Sequence, residues 1–519
     1  MKKTFLILKI FLLLALFAAA GANVYAADYY WVGRDINDPL DWDRIANWSN
    51  VSGGSGGRTS PPVSIDDVHF DANSFTATRK TVNLTTNSYC RNIVFANVPA
   101  GTVFNFGTQT FEVSGSFTLA AGMITSGTGI IRFVSANAAE NLTANQVVIY
   151  PNVEIRGTAQ WTIDAPFRTD TTGTTTRGTF TYANPNSLTV PGDMRVANIT
   201  WSGGGGLTVN GNLTARYDIS ANPYFGGGTS HSGAGDIKVT GNFTTYTLTF
   251  STGKTAQDSI IVGGTLTTYN TNFNGGGSLI TNAWVATSTT TFSGGGDITV
   301  GTVWTNNGYV NFTGNGNITV GTSFTGASTF YANGNGNITI GQAGNTGEVF
   351  KITGNQTSNS PYYYNSVRML GTGTKTFNGD VNAYYSTSFQ GGTVNIKGSL
   401  NVQTGVTSAS YCSEIYHSLI NGGCLFTVDG DVTARNVTTP ATQTLGSRFV
   451  VTDAGTAVNV GGSFTQGYLH ILDGVTNIQG KLTLRGYSTA CADMYSSLLI
   501  TGGELNFNIA GVQNVDIMG

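Results

Sequence analysis

Apolar and polar positions alternate between Gly294 and Gly341 in a phrase that nearly repeats: GGGDITVGTVWTNNGYVNF, TGNGNITVGTSFTGASTFYA, NGNGNITIGQ. Ile298, Ile318 and Ile338 are equivalent, so the period is 20 residues. In each copy Ile298, Val300 and Val303 are assigned to one side, with Thr299 and Gly301 between them. A period of two within the repeat means strand, and a fixed period near twenty means a chain coiling into stacked turns.

A looser form of the phrase runs through most of the chain. Leu188, Leu207, Ile237, Ile260 and Leu279 occupy the place of Ile298 on its N-terminal side, and Phe111 fits further forward. Val394, Phe426, Val458, Val475 and Leu505 continue it toward the C-terminus. The template reads apolar, any, apolar, any, Gly, small polar, Phe or Leu, Thr. It describes two short strands joined at a glycine, which supplies the φ > 0 or otherwise unusual backbone of a sharp corner. Spacings from 19 to 30 residues predict loops of unequal length at one corner. The expected fold is all-β, a single-stack parallel β-helix (β-solenoid) of roughly 20 rungs.

Composition narrows the function. With 70 Gly in 519 residues, 40% hydrophobic and 11% aromatic residues, the chain is too apolar for a flexible linker. Only 10% of residues are charged and the net charge is −3, without a basic stripe, so no nucleic-acid partner is expected. Lys2, Lys3 and Lys9 precede the apolar run Ile10 to Ala20, and Val24-Tyr25-Ala26 carries small residues at −3 and −1. This predicts a signal peptide over 1–26, cut after Ala26, and no membrane span thereafter. Cys90, Cys412, Cys424 and Cys491 match no zinc spacing. Buried free thiols are expected, with Cys412–Cys424 as the local disulfide alternative.

Residues 27–84 have a different character, with Trp31, Trp42 and Trp48 close together. The expected role is a Trp-rich N-terminal cap with first strands, closing the end of a coil over 85–519. The competing role is an aromatic platform for sugars. Tyr29-Tyr30-Trp31-Val32-Gly33, Asp38-Pro39-Leu40-Asp41-Trp42, Asn47-Trp48-Ser49, Ser52-Gly53-Gly54 and Asp66-Asp67-Val68-His69-Phe70 resemble the opening of large secreted adhesin-like β-helix proteins of Bacteroidota. That resemblance covers residues 29 to about 75 and implies export with adhesin-like or surface-layer roles and no defined chemistry. Arg34 stands where such proteins usually carry a second glycine. The rung rhythm persists to Gly519, which reads as a coil truncated at its C-terminus.

Parallel β-helices also host polysaccharide lyases and hydrolases, which need carboxylates clustered with Arg or Lys on adjacent rungs. Asp236, Asp297 and Asp429-Gly430-Asp431 stand singly beside glycines, and no column of acidic residues beside Arg or Lys is expected. His69, His231, His417 and His470 form no triad spacing. Asp38, Asp41, Asp43, Asp66, Asp67 and Asp71 are the densest acidic set, with turn roles expected and Ca²⁺ the one candidate ion. No catalytic residue, cofactor or resident metal is assigned.

Cys412-Ser413-Glu414-Ile415-Tyr416 recurs as Cys491-Ala492-Asp493-Met494-Tyr495, making Glu414, Tyr416, Asp493 and Tyr495 candidate glycan contacts beside the plainer reading of a duplicated loop. Tyr362-Tyr363-Tyr364 and Tyr384-Tyr385 are weaker candidates of the same kind. Asp170-Thr171-Thr172 and Asp258-Ser259-Ile260 resemble the O-glycosylation sequon of the same phylum, at Thr171 and Ser259. The resulting expectation is a secreted or cell-surface adhesin-like structural protein touching an extracellular glycan or protein surface. The alternative is a polysaccharide-active enzyme or carbohydrate-binding protein on the same scaffold.

Overall fold

The computed structural model describes residues 26–169, 178–218, 225–226, 228–250, 258–353, 367–384, 387–404, 416–436, 448–485, 498–507 and 515–518. They fall into two compact units divided between Asp164 and Ala165. Apart from one 3-10 turn at Ile45–Asn47, the regular structure is all strand, and both units coil as a parallel β-helix.

The near-identical repeats show how the second unit is built. Ile298–Val300, Val303–Asn306 and Val310–Phe312 form one rung. Each lies parallel to its equivalent in the next rung, Ile318–Val320, Ser323–Gly326 and Phe330–Ala332. Ile298, Ile318 and Ile338 stack directly, so the 20-residue period is the rung itself. A rung therefore has three strands, one more than the glycine-jointed pair in the template. The third is short and its inward positions vary among Val, Phe and Thr, so no fixed phrase marks it.

Inward positions form buried columns. Ile298, Val300, Ile318, Val320, Ile338 and Ile340 are all buried. Each such side chain contributes about 1.5–3 kcal/mol by leaving water. On the second face the inward residue is Trp304, while Val303 is 37% exposed, contrary to the sequence assignment. The Gly301-Thr302 corner restarts the alternation, so the parity of the first strand does not carry into the second. Trp304 stacks on Trp284 with centroids 4.6 Å apart and meets Phe324 edge-on at 5.0 Å. Two register details also differ from the template. Lys375 fills the column between Ile338 and Val394, and Thr476, not Val475, continues it beyond Val458.

Corners are made by close approach more than by unusual dihedrals. Of Gly301, Gly321 and Gly341, only Gly341 has a left-handed φ, at +85°. A Cβ on Gly321 would instead lie 2.0 Å from the Gly301 carbonyl oxygen. The third corner stacks two glycine columns, Gly294-Gly314-Gly334 and Gly296-Gly316-Gly336, with the same consequence at every step. Polar side chains stitch the corners axially. Asp297 Oδ1 accepts the Asn317 N–H at 2.7 Å, Asn317 Oδ1 accepts that of Asn337 at 3.0 Å, and Asn337 Oδ1 that of Thr374 at 2.9 Å. The long connections lie mostly between second and third strands, as from Ile352 to Val367 and from Asn436 to Arg448. They are not confined there, because Phe250 to Ser259 and Ile340 to Glu348 lengthen the other two corners.

In the first unit the ladder starts within the cap, where Asp28–Trp31 pairs in parallel with Asp67–Phe70, and that strand with Ile93–Phe95. Trp31, Trp42 and Trp48 are 2%, 0% and 0% exposed. Their rings meet edge-on at 5.0 and 4.7 Å, and Trp48 Nε1 donates to the Trp42 carbonyl at 2.7 Å. Trp42 also packs on Phe104 and Phe111 of the rungs beneath. The three indoles cap the core and offer no open face to a sugar. Arg34, at the departure from the usual glycine, donates to the Gly53 carbonyl at 3.1 Å. Cys90 and Cys424 are buried free thiols, and Cys412, the other member of the local disulfide alternative, lies outside the described residues.

Candidate functional site

Strand alternation places every second residue outside, and rung stacking lines those residues up. On the first face of the second unit one outward column runs Thr299, Thr319, Thr339, Thr376, Asn395, Thr427, Asn459, Asn477. The second face carries Thr214, Thr244 and Thr267 in register, and later Asn382, Asn401, Thr433 and Thr465. Asparagines within these columns bond to one another along the axis, Asn401 to Asn382 at 2.9 Å and Asn477 to Asn459 at 2.8 Å. Successive members stand about 4.8 Å apart, the spacing of hydrogen-bonded strands.

The third face interrupts this polar monotony. Its outward column runs Asn311, Tyr331, Arg368 and ends in register at the buried Ser388. The Arg368 guanidinium lies over the Tyr331 ring, 5.3 Å from its centroid. Tyr309, two residues before Asn311 on the same face, is 37% exposed. Its phenol is pushed above the ordinary tyrosine range, first by burial and then by Tyr331, while the Arg368 charge acts in the opposite sense. Asn311 Oδ1 and Arg368 Nε are buried atoms without a hydrogen-bond partner.

The first unit contains an ion ladder that the sequence reading did not expect. Glu112, Arg132 and Glu154 stack in adjacent rungs. Arg132 lies 2.8 Å from Glu154 and 3.9 Å from Glu112, and Arg156 closes on Glu154 at 3.1 Å. The expectation of no acidic column beside Arg fails here because the template fixed only Phe111, the inward neighbour of Glu112. Two carboxylates bracketed by two arginines make a surface ion-pair network, worth up to about 1 kcal/mol per pair.

The other acidic residues serve turns and corners. Asp38 Oδ1 accepts the Leu40 N–H at 3.2 Å, and Asp71 Oδ1 that of Asn73 at 2.8 Å. Asp41 and Asp43 share the Thr85 hydroxyl, at 2.8 and 3.0 Å. Asp66 Oδ1 receives the Ala27 N–H at 3.1 Å. Asp67 forms a two-pronged pair with Arg91, and the hydrogen bonds from Arg91 and Asn92 outweigh desolvation to hold its carboxyl below the usual range. These residues are dispersed, and among the described residues no group of three or more His, Cys, Asp or Glu gathers for a metal ion. Asp236 and Asp431 accept the N–H groups of Ser259 and Ser463 in the next rung, at 2.9 and 2.7 Å. Asp429 pairs with Lys397 at 3.3 Å. His69 lies 3.0 Å from Asp28 and stacks on Tyr30.

Of the predicted contact and modification residues, Glu414, Asp493, Tyr495 and Thr171 lie outside the described residues, as do Tyr362 to Tyr364 and Tyr385. Tyr416 begins strand Tyr416–Asn421, with its backbone opposite Arg448. Ser259 begins strand Ser259–Phe273 and is half-buried; its neighbour Asp258 caps the Gly235 N–H at 2.8 Å. Ala26 is exposed and is separated from the first strand, Asp28–Trp31, by Ala27. The Tyr309–Arg368 patch was not anticipated, because Arg368 meets Tyr331 only once the third strand and its register are known. Among the described residues no helix is long and apolar enough to cross a membrane. Comparison with protein-family models, curated proteins and solved structures finds no match.

Proposed function

We infer that the chain is a secreted or cell-surface adhesin-like structural protein without catalytic activity, contacting an extracellular glycan or protein surface along its outward columns. The observation that carries this reading is the unbroken register of Thr and Asn through eight successive rungs, from Thr299 to Asn477. Hydroxyls and amides repeated at about 4.8 Å offer many equivalent weak contacts to a polymeric partner. Such contacts gain strength by multivalency. The low charge content favours hydrogen bonding over salt-screened attraction. Export through a signal peptide cut after Ala26 is part of the same proposal. So is the absence of a nucleic-acid partner, since no basic stripe runs along the sequence.

The second reading, a polysaccharide-active enzyme or carbohydrate-binding protein, is favoured by the Glu112–Arg132–Glu154 column. Two assays separate the readings. Purified chain is applied to glycan and matrix-protein arrays, and incubated with pectins, alginates and glycosaminoglycans with and without Ca²⁺. The adhesin reading expects array binding and no new reducing ends or unsaturated products. Turnover abolished by Glu154→Gln or Glu112→Gln would establish the enzyme reading instead.

A further inference from the structure

We propose that Tyr309, Asn311, Tyr331 and Arg368 form a subsite for a carboxylated sugar, a uronate or sialate residue of an acidic glycan. This rests on reading the outward faces as glycan-contacting and adds the chemistry of the ligand. Arg368 is the central observation. Two surface lysines elsewhere on the second unit are matched, Lys351 with Glu348 at 3.1 Å and Lys397 with Asp429 at 3.3 Å. Arg368 has no acidic partner among the described residues, and its Nε has no hydrogen-bond acceptor. It is instead positioned by the Tyr331 ring at 5.3 Å. A guanidinium fixed by an aromatic face presents its remaining N–H groups as a planar fork, which matches a carboxylate bidentately.

The neighbours complete a sugar-shaped site. Asn311 and Arg368 flank Tyr331 in the same column, two strand spacings apart, about 10 Å. That span accommodates one pyranose with its exocyclic carboxylate. Asn311 is half-buried at the edge of this span, and its enclosed Oδ1 takes no part in the contact. Tyr309, 37% exposed, supplies an amphipathic ring on which the apolar face of a sugar packs.

The test is calorimetric titration of the full chain with trigalacturonate, with sialyllactose and with neutral galactotriose, plus arrays that include sulfated glycans and matrix proteins. Carboxylated ligands are expected to bind and galactotriose to bind far more weakly. Arg368→Gln should weaken the acidic ligand by about tenfold or more, since a charge-assisted bond is lost. Arg368→Lys should fail to restore it, because an ammonium lacks the fork. Tyr309→Ala should weaken binding as well, while Lys397→Gln leaves it unchanged. All variants should melt as the parent does, which separates lost recognition from lost folding. Preference for trigalacturonate or sialyllactose identifies the source of the carboxylate. Binding confined to neutral or sulfated glycans or to proteins, or unaffected by Arg368→Gln, overturns the subsite and leaves the adhesin reading standing. No binding to any glycan or protein overturns both.

Discussion

Gly314→Ala tests whether corner glycines are dictated by the approach of adjacent rungs. A Cβ on Gly314 would sit 1.8 Å from the Gly294 carbonyl oxygen, and Gly334 bears the same relation to Gly314 at 1.6 Å. Ordinary contact begins near 3.4 Å, so the rungs must part by more than 1 Å at this corner. The obstructing atom is backbone and cannot rotate aside. Separation strains the bonds from Thr313 and Gly314 to the Phe292 carbonyl, now 2.7 and 3.1 Å long. Overpacking of this kind costs about 1–3 kcal/mol. Weakening one buried backbone hydrogen bond adds about 1 kcal/mol. The expected loss is therefore roughly 2–4 kcal/mol. Gly295→Ala is the internal control, because no atom lies within 4 Å of its Cβ position and its φ is not left-handed. That substitution should gain about 0.4–1 kcal/mol by restricting the unfolded chain. Urea unfolding followed by fluorescence reports through Trp284 and Trp304 in the neighbouring rungs. Hydrogen exchange over residues 290–340 shows whether the loss is local, as nearest-neighbour coupling requires. Equal stability of the two variants would refute the close-approach argument.

Other positions give sharp expectations. Gln466 is fully buried with neither Nε2 nor Oε1 bonded, so Gln466→Leu should stabilise the chain by about 1–3 kcal/mol in the same urea assay. Trp48→Ala should cost about 3–5 kcal/mol, read as a lowered melting temperature, because it empties the centre of the cap. Lys375 is 1% exposed with its Nζ on the Gly371 carbonyl, and burial holds its pKa below the ordinary 10.5. The unfolded chain then binds more protons, so the lysine's cost falls as pH rises from its folded pKa toward 10.5. Lys375→Met should exceed the parent in stability at neutral pH, with the gap closing at alkaline pH. A gap that does not vary with pH would show that Lys375 is not buried in charged form.

Legibility in the sequence followed physical constraint. Inward positions of the first strand were readable, since the column from Leu188 to Ile338 admits only apolar side chains and repeats one phrase. The reading slipped where that constraint is broken from within. A lysine such as Lys375 satisfies no apolar template, and Val475 is more apolar than its neighbour Thr476, which is the residue in the inward column. The third strand escaped because its inward residues range from Val310 to Thr290, and Thr290 is buried by donating to Asn306 at 2.9 Å. Composition advertises the tyrosine-rich segments as candidate contacts. The patch at Arg368 instead depends on which rung position faces which, and that is settled only by register.

Interior columns and corners leave these rungs little freedom. A change in the glycine corners collides with backbone, and a change in the Asp297–Asn317–Asn337 stitch unpairs an N–H in the following rung. Outward strand positions carry neither burden, as the tolerance of Thr299, Ile280 and Lys238 at equivalent places in one column shows. A scaffold of this kind separates folding from recognition, so outward residues can change without disturbing the ladder beneath them. The first face keeps those residues small, polar and uncharged through the eight rungs from Thr299 to Asn477, while the third sets together two tyrosines and an arginine that has no acidic partner among the described residues. Uniform Thr and Asn suit repeated contact with a polymer, whereas Tyr309, Tyr331 and Arg368 suit one residue of it. Loss of acidic-glycan binding in Arg368→Gln, with polymer adhesion merely weakened, is the pattern this division of roles requires.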